Sequence, residues 1–155
     1  MSSSEWAYVV ERVVTPVGAS SGRASSISRV VAKEAANGRV FASVACWRTK
    51  KGRRAGETTP AVFVSSLEVE ERFRRRGVAR ALVEEVETMG REDFSAEWVT
   101  LSVNKTNVVA LQTYERLGFT IDEDEDGGLV RVLMDPLRLV QHRMSKPIAQ
   151  DVETD

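Results

Sequence analysis

The chain has 155 residues, with 22 Lys and Arg against 23 Asp and Glu, for a net charge of −1. A balance so close to zero argues against a protein built to coat nucleic acid or an anionic membrane. Hydrophobic residues at 42% and charged residues at 29% fit an ordinary globular chain, and this length suits one domain that buries roughly 70% of its unfolded surface. The one cysteine, Cys46, excludes an internal disulfide and fits a reducing compartment. With His142 as the only histidine, a Cys/His metal site is not expected. No apolar run reaches the ~20 residues of a membrane helix. The start, Met1-Ser-Ser-Ser-Glu-Trp, lacks the layout of a secretory signal. The expected location is the cytoplasm, with organelle import left open.

In chain order, Glu5–Val14 reads as a strand and Thr15–Ser28, rich in Ser, Gly and Ala, as a loop. Ile27–Ala35 reads as a strand that turns through Ala36-Asn37-Gly38, an Asn-Gly hairpin signal. The return strand is Arg39–Thr49, apolar on both faces and therefore expected to be covered on both. Lys50–Pro60 is a polar loop, its basic tip solvated, and Ala61–Val69 a central strand. Val78, Leu82, Val86 and Met89 form one stripe of a helix that begins after Gly77. Glu97–Val103 reads as a strand. Asn107–Leu117 reads as a helix capped by Thr106 or Asn107 and ended by Gly118. Phe119 opens a strand, Asp122–Gly128 is an acidic turn, and Leu129–Met134 is the last strand. The order of elements implies an α/β or α+β domain, a mixed sheet flanked by helices. The domain is expected over residues 1–137, with 138–155 a flexible tail and His142 exposed on it.

Two stretches carry chemistry. Residues 72–80 contain Arg72, Arg74, Arg75, Arg76 and Arg80 around Gly77. A strand, a tight turn and a glycine at a helix start present backbone N–H groups to an anion such as a diphosphate. The competing reading is a solvated basic turn balanced by Glu68, Glu70 and Glu71. The second stretch runs from Val103 to Phe119 and includes Asn107, Ala110, Tyr114 and Gly118-Phe119.

Together, Leu67-Glu68-Val69, Arg74-x-x-Gly77-x-Ala79 and Asn107-x-x-Ala110-x-x-x-Tyr114-x-x-x-Gly118-Phe119 resemble the GCN5-related N-acetyltransferase superfamily. Ser66-Leu67-x-Val69, Arg75-Arg76-Gly77-Val78-Ala79 and Lys105-Thr106-Asn107 are most similar to its enzymes for protein N-termini, the ribosomal-protein type included. The resemblance implies a mostly antiparallel mixed sheet and acetyl-CoA as cosubstrate, with no metal. It implies that the backbone of Leu67, Glu68 and Val69 pairs with the pantetheine arm. Arg74, Arg75, Arg76, Gly77, Val78, Ala79 and Arg80 would surround the pyrophosphate, held by backbone N–H groups from Arg75 to Arg80. Asn107 would hydrogen-bond the cofactor arm. Tyr114 would be the general acid for the departing thiolate, since a phenol stays neutral at pH 7 and donates a proton. The acceptor would be an amine, foremost a protein or peptide N-terminus. A small-molecule amine enzyme, a non-catalytic acyl-CoA sensor and a nucleic-acid module are the rival readings.

Two departures stand out. The family's usual bases fall here on Ser102 or near Phe63 and Ser65, none of them a base, and alternation sets Glu68 on the other face. The two helices that relatives carry after the first strand have no room in residues 15–26, so the N-terminal helical region is shortened. The acidic run Asp122–Asp126 reads first as a solvated turn and second as an attractor of a cationic acceptor.

Overall fold

The computed structural model describes residues 6–16, 26–52, 56–122 and 140–150. Its strands are β1 (Tyr8–Pro16), β2 (Ser26–Glu34), β3 (Val40–Gly52), β4 (Thr58–Val69), β5 (Trp98–Asn104), β6 (Thr120–Ile121) and β7 (Gln141–Pro147). Two α-helices, α1 (Val78–Phe94) and α2 (Val108–Arg116), follow β4 and β5. The strands hydrogen-bond in the order β1-β2-β3-β4-β5-β7-β6. The expected mixed, mostly antiparallel sheet with helices is what the chain forms. Among the described residues no helix is long and apolar enough to cross a membrane.

The contacts divide into two compact units. One holds the described parts of Met1–Trp47 and Val64–Thr88, the other those of Arg48–Phe63 and Met89–Asp155. In the first unit β1 and β2 pair antiparallel from Tyr8↔Glu34 to Pro16↔Ser26. The residues linking them, 17–25, lie outside those described. The Asn-Gly signal produces a loop between Glu34 and Arg39, in which Gly38 takes φ 71° and Asn37 Oδ1 accepts the Arg39 N–H. Pairing of β2 with β3 slips between Ala32 and Lys33, so Phe41 is skipped as a bulge. Phe41 through Cys46 are buried, apart from half-buried Ser43, so the return strand is covered on both faces as its composition predicts. From α1, the apolar stripe Val78, Leu82 and Val86 is fully buried, the outcome its helical spacing requires.

The second unit is organised on β5. Its residues Ala61–Phe63 of β4 run parallel to Trp98–Thr100, and β7 runs antiparallel to all of β5, from Trp98↔Pro147 to Asn104↔Gln141. The end of α1 packs close here: a Cβ on Gly90 would stand 3.1 Å from Val62 Cγ1.

Three expectations need correction. Residues 138–155 are not a tail throughout: Gln141–Pro147 is β7, with Met144 and Ser145 buried, and Ile148 bonds the Glu97 carbonyl. Long-range pairing with β5 overrides a segment whose own pattern is weak. His142 is accordingly a half-buried strand residue opposite Val103. The polar loop at 50–60 is shorter than its composition suggests, since β3 continues to Gly52 and β4 starts at Thr58. The strand expected at Leu129–Met134 lies outside the described residues.

Candidate active site

The candidate residues fall in both units and are described unit by unit. In the first, β4 ends irregularly. Ser66 has φ 55°, a left-handed conformation that costs a non-glycine residue about 1 kcal/mol or more. It interrupts strict alternation just before Leu67, Glu68 and Val69, which are half-buried, exposed and half-buried in turn. Parallel pairing of β4 with β5 covers Ala61–Phe63 and does not reach Leu67–Val69. The strand end is fixed at Glu70, whose N–H bonds the Phe41 carbonyl at 2.9 Å. Arg39 bridges Glu70 (2.9 Å) and Glu34 (3.1 Å), and its hydrogen bonds hold both carboxyls below their ordinary range.

A short 3₁₀ turn, Glu71–Phe73, leads into the arginines. Arg75 takes φ 64° and Gly77 φ 77°, so two left-handed residues flank Arg76. Successive turns of opposite hand aim neighbouring N–H groups into one concavity suited to an anion. The first bond into α1 runs from Ala81 N–H to the Gly77 carbonyl. The leading amides of an α-helix have no carbonyl of the same helix to bond, and the helix dipole adds partial positive charge there. A Cβ built on Gly77 would meet nothing within 4 Å, so the approach to the turn is open. The arginine side chains, by contrast, are partly engaged with their own unit. Arg74 Nε donates to the Val69 carbonyl at 2.9 Å, Arg72 Nε to Glu70 at 3.0 Å, and Arg76 lies over the Trp6 ring.

In the second unit, Asn107 is the cap of α2, as its residue type predicts. Its Oδ1 accepts the Ala110 N–H at 3.1 Å, which leaves Nδ2 as the group able to donate to a ligand. The helix closes through two bonds, Gly118 N–H to Glu115 C=O and Phe119 N–H to Tyr114 C=O, both 3.0 Å. With Gly118 at φ 98° this is a Schellman ending, which brings the residue after the glycine back over the last turn. Phe119, 2% exposed, thereby meets Tyr114. Burial raises the Tyr114 phenol above its ordinary value, so it is a neutral proton donor across physiological pH.

β5 carries Ser102 where the family's base is expected. Ser102 stands opposite Arg143 in the β5–β7 register, a cation and no base. His142 stands opposite Val103, and alternation turns it to the other face from Ser102. Of the acidic run only Asp122 is described. Its carboxylate is bound by Lys51 Nζ and by Ser145 Oγ, both at 3.0 Å, and Lys51 also lies 5.2 Å from the Trp98 ring centre. Lys51, expected at a solvated tip, is therefore part of a half-buried polar cluster. Trp6 and β7 are the features that residue-by-residue reading did not attach to a site. An aromatic residue just ahead of β1 was the available signal for the first, and Met144 for the second.

The model of the acetyltransferase (GNAT) family matches residues 18–119. Solved structures share the fold at low identity. NAA60 of Arabidopsis thaliana, in complex with acetyl-CoA, is 16% identical over 79% of this chain and 76% of its own, with a TM-score of 0.57. The NatC complex bound to Gag peptide and CoA matches at 21% identity over 78% and 71%, with a TM-score of 0.53. Nourseothricin acetyltransferase matches at 21% identity over 92% and 88%, with a TM-score of 0.57.

Proposed function

Because the chain belongs to the acetyltransferase (GNAT) family, we propose that it transfers an acetyl group from acetyl-CoA to an amine, the foremost candidate being a protein or peptide N-terminus. The observation that carries the cofactor assignment is the turn at Arg74–Ala79: two left-handed residues opening directly onto the start of α1. Its amides suit a pyrophosphate, whose oxygens take up several N–H bonds at once. The backbone of Leu67, Glu68 and Val69 pairs with the pantetheine arm, and Asn107 donates to that arm through Nδ2.

The amine nitrogen attacks the thioester carbonyl carbon directly. The carbonyl oxygen gains negative charge and is stabilised by a backbone N–H near Val69. The tetrahedral intermediate collapses, the carbon–sulfur bond breaks, and Tyr114 gives its phenolic proton to the departing thiolate. The amine enters neutral, and as the amide forms its nitrogen gives up one proton to water, which balances the proton that Tyr114 supplies to the thiolate; no side-chain base at Ser102, Phe63 or Ser65 is needed for that. No serine nucleophile is required.

The peptide reading draws on the likeness to NAA60 and NatC, the latter with a bound peptide. The likeness to nourseothricin acetyltransferase, which covers more of the chain, favours a small-molecule amine as the second reading. Thermal stabilisation by acetyl-CoA, followed by acetylation of a panel of peptides and small amines, separates them. Turnover of peptides alone supports the first reading and turnover of small amines alone the second. Cofactor binding with no turnover on either would indicate an acyl-CoA sensor. No stabilisation at saturating acetyl-CoA would reject the whole assignment.

A further inference from the structure

Trp6 precedes β1 and lies outside the segment that matches the family, which begins at residue 18. Its ring stacks on Phe73, with centroids 5.0 Å apart and planes at 16°. Phe73 is itself anchored, 6% exposed and 4.5 Å from Phe41 between ring centres. On the same indole lies the Arg76 guanidinium, 5.1 Å from the ring centre. The Trp6 Nε1 atom is buried and has no hydrogen-bond partner among the described residues. The indole is therefore held by ring contacts, with Tyr8 at 5.1 Å and Phe41 at 5.3 Å between ring centres as well as Phe73.

Arg76 is the residue between the left-handed Arg75 and Gly77. A non-glycine residue persists in that conformation only where its surroundings over-determine it. Two restraints do so here. On one side Arg74 Nε is bonded to the Val69 carbonyl. On the other, Arg76 is laid on Trp6 by a cation–π contact, which is strongest for tryptophan.

We propose that Trp6 is a positioning residue for acetyl-CoA: by holding Arg76 against the Phe73 ring stack, it keeps the Arg75–Gly77 backbone in the form that presents amides to the pyrophosphate. This role rests on the acetyl-CoA reading above. It makes the segment ahead of β1 part of the cofactor site without touching the cofactor.

The test uses the full chain and measures acetyl-CoA Kd alongside kcat at saturating cofactor. Trp6→Leu keeps apolar bulk and removes the aromatic face. It should raise Kd by about three- to tenfold, the range of a partly desolvated cation–π contact, with kcat unchanged. Trp6→Phe should recover most of the affinity. In an Arg76→Met background, Trp6→Leu should change Kd by less than about twofold, because the two residues act as one unit. A loss that persists in full in that background, or a loss in kcat with Kd intact, overturns the role. A second measurement needs no variant. The Arg76 side-chain proton resonances should be shifted upfield by the indole ring and stay so in the acetyl-CoA complex. Absence of that shift, or its collapse on binding, also overturns the role. A parent protein that binds no acetyl-CoA rejects the functional reading and this role with it; a parent that binds, with Trp6→Leu binding equally well, rejects only the role of Trp6.

Discussion

Tyr114 and Phe119 meet ring to ring, with centroids 5.8 Å apart and planes at 74°. The contact joins the last turn of α2 to the residue just past Gly118 and follows from the Schellman ending of that helix. It orients the phenol, and the burial that comes with it raises the phenol's pKa. An aromatic ring fixed by helix-end geometry holds its hydroxyl in one place.

Tyr114→Phe should therefore be a clean test of the general acid. The ring and its contact with Phe119 are retained and only the hydroxyl is lost. We expect kcat to fall by ~100-fold or more, with acetyl-CoA Kd unchanged. Since burial raises the phenol's pKa above 10.0, its ionisation should cause little loss of parent kcat between pH 7 and 9. A variant with parental kcat on the true acceptor removes Tyr114 from the mechanism.

Asn107 caps α2 with one atom, and the proposed function gives its other polar atom a second duty. Its Oδ1 caps α2 at Ala110 N–H, and its Nδ2 is assigned to the cofactor arm. Asn107→Ala should lose both, with about 1 kcal/mol of stability and weaker acetyl-CoA binding. Asn107→Asp keeps a capping oxygen and loses the donor. Its urea midpoint should match the parent while its acetyl-CoA KM rises. A parental KM in Asn107→Asp would confine Asn107 to the cap.

Gly77 sits at φ 77° with open space where a Cβ would go. Gly77→Ala meets no atom, so its stability cost is limited to the left-handed conformation, about 1 kcal/mol. Binding should suffer more, because the new methyl group enters the approach to the turn and the backbone is pushed off its left-handed form. Loss of one charge-assisted bond to the pyrophosphate, worth ~1.5–3 kcal/mol, corresponds to a KM for acetyl-CoA roughly tenfold or more higher. Thermal melts and KM measured on the same variant check the two effects separately.

Cys46 is fully buried and its Sγ donates to the Ser28 carbonyl at 3.6 Å. Burial pushes the thiol up to about 11 from 9.0. The folded state binds the proton more tightly than the unfolded state does. Stability from this group is thus complete below pH 9 and is lost as pH rises through 11, by roughly 3 kcal/mol in all. Urea midpoints between pH 8 and 11 should fall more steeply in the parent than in Cys46→Ala. In the native protein at pH 8 the thiol should resist modification by a disulfide reagent. Rapid labelling, or identical pH slopes in the two proteins, would contradict its burial as a neutral thiol.

The sequence by itself determined the features that depend on neighbours along the chain. The stripe Val78, Leu82, Val86 and Met89 dictates the buried side of α1. Asn37-Gly38 marks the hairpin, and Asn107 and Gly118 mark the two ends of α2. Spacing between Leu67, Gly77, Asn107 and Tyr114 carries the family. Tertiary structure alone decided what depends on residues far apart. Gln141–Pro147 has a weak pattern of its own and becomes a strand because β5 pairs with it along its whole length and β6 pairs with its other edge. Lys51 leaves its expected solvated tip because Asp122 and Ser145 offer it charge and a hydroxyl. Trp6 gains a role only where Phe73 and Arg76 come to it. Left-handed Ser66 and Arg75 carry no mark in their residue types, since neither favours that conformation. Local free-energy preferences are written in short windows of sequence. A strained backbone is held by distant contacts and becomes visible only in the assembled fold.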